Sequence, residues 1–370
     1  MFFIILIINT LYFIFNFVLI ITWLKIKNNF TIKSSEKDTK LTIIIPVRNE
    51  AENIVILLQD IDKQDYPYKN FEVIVANDGS TDNTADLVFE YQEIAQYSIR
   101  LLNIFEEKGT SPKKRAIQKS IEIASGELII TTDGDCRVSN KWLSSIHQFY
   151  QSTDAKLISS PVTFMDENNF WNTAQIIEFA SLMGSGACAI YLNKPNMCNG
   201  ANIAYTKEVF ESVGGFAGNE HLASGDDEFL MHKIALKYPK QVLFNAHPDS
   251  MVKTKSQPNF KQFYQQRKRW ASKWKHYNNW QISALAMFIF IVNLGVIFTY
   301  FLFPPQKFLI LLFLKFGVEF IFLSLIIRYL GYKTKIFFIP IIQILYPFYV
   351  VFFGIIPQGK GYEWKGRKLK

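Results

Sequence analysis

Leu128-Ile129-Ile130-Thr131-Thr132-Asp133-Gly134-Asp135 is an apolar, β-branched run that stops on two acidic residues around a glycine. β-Branched residues suit a pleated surface, so the spacing predicts a strand over Leu128–Thr132 ending in a turn. In extended chain the side chains at i and i+2 share a face, which places the carboxylates of Asp133 and Asp135 together at the strand's end. An ordinary acidic turn has the same letters. Outward from this run, Leu41–Pro46, Phe71–Ala76 and Ile99–Phe105 read as further strands, separated by amphipathic stretches at Glu50–Asp62 and Thr81–Ala95. That alternation predicts an open, mostly parallel α/β sheet, and such sheets bind ligands beyond the carboxyl ends of their strands.

Residues just after the strands therefore carry the chemistry. Asn77-Asp78-Gly79-Ser80-Thr81-Asp82-Asn83-Thr84 combines a turn with several helix-capping residues, and a carboxylate at Asp78 could accept from a nucleobase or ribose. Ser111-Pro112-Lys113-Lys114-Arg115-Ala116 puts proline at a first helical position, where a helix N-terminus and three cations attract phosphate; a solvated basic face is the alternative. Two carboxylates after a strand suit Mg²⁺, which completes its shell with water and substrate phosphates. Gly225-Asp226-Asp227-Glu228 crowds three carboxylates, and like charges raise at least one pKa toward a value useful in a base, unless the run only caps a helix.

Composition sets these motifs beside a membrane. With 34 Phe among 370 residues, 49% hydrophobic content and a net charge of +8, disorder is excluded and acidic partners such as phosphates or anionic lipid are favoured. Three cysteines at scattered spacing match neither a disulfide framework nor a zinc site, which fits a reducing compartment. Residues 1–24 include an uncharged stretch from Phe2 long enough for a hydrocarbon core of about 30 Å, followed by Lys25 and Lys27, which predicts an anchor with the next block, 40–258, cytosolic. Residues 259–280 are rich in Lys, Arg, Trp, Tyr and Phe and read as an interfacial helix rather than a nucleic-acid surface. Apolar stretches follow at 284–303, 308–330 and 336–356; the second carries Lys315 and Glu319 at i, i+4 spacing, which lets them pair. Strict alternation would put the basic tail, 357–370, outside, so the segment with Pro340 and Pro347 is expected to be re-entrant or interfacial.

In motif order, Leu41 to Trp270 resembles the membrane-bound family 2 glycosyltransferases of GT-A fold, the group of hyaluronan, chitin, cellulose and poly-N-acetylglucosamine synthases and ceramide glucosyltransferase. The resemblance implies that Pro46 and Glu50 of Ile45-Pro46-Val47-Arg48-Asn49-Glu50 border the nucleoside and that Asp78 contacts it. Lys113 stands where the family has the lysine of a G-K-x-x-A-L motif, with Pro112 replacing the glycine. Asp133 and Asp135 match the D-x-D motif that holds Mg²⁺ or Mn²⁺ and the donor diphosphate. Asn199-Gly200-Ala201-Asn202 resembles the loop lining the sugar and acceptor pocket. Asp227 matches the general base of E-D-x-x-L, with Asp226 replacing Glu, and Gln266, Arg269 and Trp270 fit Q-x-x-R-W.

The implied reaction is inverting transfer of a sugar from a nucleotide-sugar, with UDP the expected nucleotide, to a lipid or a growing glycan. Arg269 offers phosphate a planar fork, and Trp270 an acceptor a flat face. Few apolar segments argue for a lipid acceptor over a translocated polymer, because a water-filled path needs many wall helices; the stretch Ala174–Leu192 would help form a membrane-facing mouth. The implied location is a bacterial inner membrane, with the catalytic domain in the cytosol. A non-catalytic nucleotide-sugar-binding membrane protein is the rival of a different class.

Overall fold

The computed structural model describes residues 1–28, 39–105, 111–222, 224–271, 273, 280–355, 362–364 and 367–369. After helix α1 (Phe2–Asn28), the four predicted strands appear as β1 (Leu41–Val47), β2 (Phe71–Asn77), β3 (Ser98–Asn103) and β4 (Leu128–Thr131). They lie in the order β3-β2-β1-β4, all parallel, with Leu41 opposite both Phe71 and Leu128. The chain winds outward from β1 to β3 and then returns to the other side of β1 for β4. Strand order thus reverses between β1 and β4, and open sheets of this kind take ligands beyond the carboxyl ends of the strands at such a reversal.

Helices α2 (Ile54–Asp62), α3 (Thr84–Gln92) and α4 (Pro112–Ile123) make the connections. The first two start later than the apolar periodicity predicts, because polar side chains hold the chain in turns ahead of them. The Asp82 carboxylate accepts from the backbone N–H of Thr84 at 3.1 Å and of Ala51 at 3.1 Å. Beyond β4 come β5 (Arg137–Val138), α5 (Trp142–Ser152), β6 (Leu157–Ser159) and β7 (Val162–Phe164). After helix α6 (Phe170–Tyr191), β8 (Ile203–Thr206), α7 (Lys207–Ser212), α8 (Asp226–Lys237), β9 (Val242–Phe244) and β10 (Val252–Thr254) follow. The large sheet continues as β4-β8-β6-β9, where β8 runs antiparallel to both neighbours; β5, β10 and β7 form a smaller sheet. Ile44, Ile74 and Ile129 share a core with Ile117 and Ile121 of α4 and with Tyr205, Phe210 and Met231. Cover on both faces is why β1, β2 and β4 read as continuous apolar runs.

These strands belong to one compact unit of residues 29–165, 189–255 and 364–370; residues 1–28, 166–188 and 256–363 form a second. The second unit is helical, with α1, most of α6, α9 (Phe260–Ala271), α10 (Trp280–Leu302), α11 (Pro305–Tyr329) and α12 (Ile339–Ile355). Among the described residues, five helices are long and apolar enough to cross a membrane: 2–27, 170–191, 280–302, 305–329 and 333–355. The chain has the character of a membrane protein. The second of these helices is α6, whose apolar stretch begins ahead of Ala174 and whose Gly184 lies so close to α11 that a Cβ there would stand 2.7 Å from Ile326 Cδ1. Pro347 sits inside a continuous α12, and Pro340 falls in its first turn, where no intrahelical donor is lost. Residues 274–279 of the basic aromatic segment and most of the tail lie outside the described residues.

Lys315 and Glu319 do pair, at 2.6 Å, with Lys315 fully buried. Tyr12 of α1 donates to the same carboxylate at 2.6 Å, and Gln343 of α12 donates to its other oxygen at 3.2 Å. Three helices are therefore joined at one carboxylate.

Candidate active site

Asp133 and Asp135 lie just past β4, at the strand-order reversal. Gly134 between them is required by space, because a Cβ would stand 2.9 Å from Val47 Cγ1 and 3.1 Å from Glu50 Cγ. The acidic turn is thereby pressed against the loop that follows β1. From the other side Lys113 Nζ donates to Asp133 Oδ1 at 2.7 Å and stands 3.6 Å from Asp226 Oδ2. Lys113 is half-buried and Lys114 and Arg115 are buried, so the basic cluster is no solvated face. Lys114 donates to the Asn219 carbonyl at 2.6 Å, and Arg115 donates to Asp78 Oδ1 at 2.6 Å.

Asp78 is buried directly after β2, and Arg48 binds the carbonyls of Asp78 at 2.7 Å and Gly79 at 2.6 Å. Arg48 belongs to no acidic or basic cluster in the sequence; its place right after β1 is what marks it, since a guanidinium there has five donors for loop carbonyls. Pro46 lies in β1 opposite Ala76, and Glu50 accepts from Asn53 Nδ2 at 2.6 Å while its own N–H donates to Thr84 at 2.8 Å. Pro46 is thus within β1 and Glu50 just after it, on the β1 side of the reversal.

Asp227 lies in the first turn of α8. Its oxygens accept from the Gly200 N–H at 2.7 Å and the Glu228 N–H at 2.8 Å, which fixes the carboxylate's direction. Thr131 Oγ1 donates to the Gly200 carbonyl at 2.7 Å, so β4 and the 199–202 loop are joined next to the carboxylates. Asn199 accepts from the Ala201 N–H at 3.0 Å. Asn202 is fully buried, donates to the carbonyls of Pro161 at 2.8 Å and Ser250 at 2.7 Å, and accepts from Trp142 at 3.1 Å. Its amide is used up in holding the loop.

Charge is distributed unevenly over these groups. Burial lifts the Asp226 carboxyl above its ordinary range, the Lys113 ammonium pulls it back, and the carboxylates of Asp227 and Asp133 push it up again. Burial lowers the Lys113 ammonium, yet Asp133 and Asp226 outweigh it and hold that group above its usual value. Lys114, with burial dominant, is pushed down to about 8.

Among the described residues no group of three or more His, Cys, Asp or Glu is arranged as a metal cage. The donor set nevertheless fits a Mg²⁺-like ion, which needs only one or two carboxylates when phosphates complete its shell. Asp133 already seats a cation, the Lys113 ammonium.

Gln266, Arg269 and Trp270 are on α9, in the helical unit. The buried cation of that helix is Arg267, which pairs with Glu178 and is flanked by the rings of Phe263 at 4.2 Å and Trp270 at 4.3 Å. Tyr349 donates to the same Glu178 carboxylate at 2.8 Å. The i, i+4 and i+3 spacing of Phe263, Arg267 and Trp270 was the signal for this face.

Residues 42–214 match the family model described as glycosyl transferase family 2. Among curated proteins, the chain is 29% identical over 187 residues to glycosyltransferase AglE of Haloferax volcanii, covering 50% of this chain and 58% of that protein. It is 26% identical to glycosyltransferase GlyG of Streptococcus pneumoniae, covering 55% and 68%, and 24% identical to a poly-beta-1,6-N-acetyl-D-glucosamine synthase of Staphylococcus epidermidis, covering 41% and 36%. The chain thus spans between about a third and two thirds of the length of these relatives. Among solved structures it superposes on the mannosyltransferase PcManGT of Pyrobaculum calidifontis, solved with GDP-Man and Mn²⁺, at a TM-score of 0.58 and 17% identity, covering 92% of this chain and 98% of that one. The strand order, the carboxylates at the reversal and these matches converge: residues 42–214 match the glycosyl transferase family 2 model, and the sheet has the GT-A fold.

Proposed function

We propose that the chain is an inverting glycosyltransferase that moves a sugar from a nucleotide-sugar, with UDP the expected nucleotide, to a membrane lipid on the cytosolic side of a bacterial inner membrane. The observation that carries this reading is the meeting of Asp133, Lys113, Asp226 and Asp227 at one edge of the sheet, beside Asp78 and its Arg115 partner. Asp227 takes the proton from an acceptor hydroxyl. That oxygen attacks the anomeric carbon as the bond to the nucleoside diphosphate breaks, and the electron pair leaves with the diphosphate. General-base help of this kind contributes about 10² to 10⁴ in rate. Asp133 and Asp135 are the residues that would hold Mg²⁺ or Mn²⁺, whose charge offsets that developing on the leaving group.

Support for Asp227 as the base is its fixed orientation and greater exposure; Asp226 faces Lys113 instead. Asp227→Asn should reduce transfer by 10²-fold or more and leave donor binding intact, while Asp226→Asn retains more turnover. The reverse ranking would exchange the two roles. Asp135→Asn should weaken UDP binding in Mn²⁺ and leave it unchanged in EDTA; equal loss in both would remove the metal from the site.

The acceptor is tested by a panel of radiolabelled nucleotide-sugars on purified membranes, with label followed by thin-layer chromatography. Label moving with lipid supports the proposal. A second reading, elongation of a polysaccharide, is favoured by α6, an apolar helix of spanning length beyond the four terminal stretches, which adds wall for a polar path. Label that stays at the origin and yields to a glycan hydrolase would select it.

A further inference from the structure

Three consecutive cations open α4, although a helix N-terminus carries positive partial charge and disfavours them. Each of the three is held by something outside its own helix. Arg115 has Asp78, and Lys114 has the Asn219 carbonyl and the Phe229 ring at 5.4 Å. Lys113 differs from both: its ammonium is shared between Asp133 at 2.7 Å and Asp226 at 3.6 Å, carboxylates of two separate elements. It therefore occupies an oxygen of the very residue that would ligate a metal, while the dipole of its own helix urges it away.

Resting on the metal reading of Asp133 and Asp135, we propose that Lys113 is a displaceable counter-cation: it neutralises Asp133 while no divalent ion is bound and gives that carboxylate up when one arrives. Asp226 keeps the released ammonium at the site. A divalent ion offered alone then binds weakly, because it must first break a charge-assisted hydrogen bond at Asp133. A diphosphate entering with the ion gives the freed ammonium a new anionic partner, so ion and diphosphate assist each other.

The test uses the full chain in detergent at pH 7, with Mn²⁺ binding followed by the loss of free-ion electron paramagnetic resonance signal, first with Mn²⁺ alone and then with pyrophosphate. Lys113→Met should bind Mn²⁺ alone about tenfold more tightly than the parent protein, the order of one such hydrogen bond no longer broken. Lys114→Met removes a neighbouring cation that does not touch Asp133 and should leave Mn²⁺ affinity unchanged. An equal gain in both variants would reduce the effect to a general field and overturn the displacement. If the parent binds Mn²⁺ with pyrophosphate and Lys113→Met shows no gain for Mn²⁺ alone, the counter-cation role is wrong and the metal site stands. If neither parent nor variants bind Mn²⁺ under either condition, the metal reading falls and this inference falls with it. Lys113→Gln serves as the second variant; should both misfold without metal, Mn²⁺ in the folding buffer should restore them, and failure to do so counts against the proposal.

Discussion

Glu72 stands at the opposite end of the strands from the acidic cluster, and it is buried for a different purpose. Its carboxylate accepts from Thr42 Oγ1 at 2.8 Å, from the Ser125 N–H at 2.6 Å and hydroxyl at 2.8 Å, and from Arg100. Burial alone would raise its pKa, but these donors prevail and bring it from 4.5 down to about 2. Because the folded value lies below the unfolded one, the stabilisation is complete above about pH 4.5 and is lost as pH falls toward about 2. Glu72→Gln should lower stability at pH 7 by about 1–3 kcal/mol, the range for leaving buried partners unpaired. Melting curves in detergent should show that gap narrowing as pH falls from about 4.5 toward about 2. A gap that persists unchanged to pH 3 would mean that shape, and not the charge, is what Glu72 supplies.

At the scale of elements, the Glu319 carboxylate ties α11 to α1 through Tyr12 and to α12 through Gln343. Glu319→Gln leaves Lys315 buried with a weakened partner and should destabilise the helical unit by about 3–5 kcal/mol. Lys315→Met combined with Glu319→Leu removes both charges and should recover most of the loss, within about 1 kcal/mol of the parent in thermal unfolding. No recovery in the double variant would show that the hydrogen bonds to Tyr12 and Gln343 dominate. The same cluster shows what a sequence makes legible. Lys315 and Glu319 sit one turn apart, so helical spacing exposes their pairing; Tyr12 is 307 residues away, and no local period points to it. In the sheet-bearing unit the acidic pair after β4 was legible as a motif, but the strand ends at Thr131, so the pair lies in a turn and not in extended chain, and only the fold brings Lys113 to Asp133. Strand positions were readable because β1, β2 and β4 are covered on both faces. Helix starts were not, since Asp82 and Thr84 accept from backbone N–H groups ahead of the apolar periodicity. The roles of Asn202 and Arg267 depend on burial, which no spacing rule reports.

For the molecule as a whole, residues 170–188 of α6 belong to the helical unit, although the flanking strands β7 and β8 belong to the sheets and Ile190 at its end packs in the sheet core. Gly184 lies against Ile326, the Cys188 thiol donates to the Leu19 carbonyl at 3.4 Å, and Glu178 pairs with Arg267. A fragment of residues 39–255 would carry that apolar helix without Leu19, Arg267 or Ile326. It should aggregate in buffer and become monodisperse only in detergent, as read by size-exclusion chromatography with light scattering. A monodisperse fragment in plain buffer would show that α6 is not committed to those contacts. The arrangement also sets a timetable for the nascent chain. At a synthesis rate of about 5–20 residues per second, Ile326 leaves the ribosome roughly 7–28 seconds after Gly184. Throughout that interval α6 already has Leu19 of α1 as a neighbour but lacks Ile326, and at first Arg267 as well, so its cover in the finished protein is completed only late in synthesis.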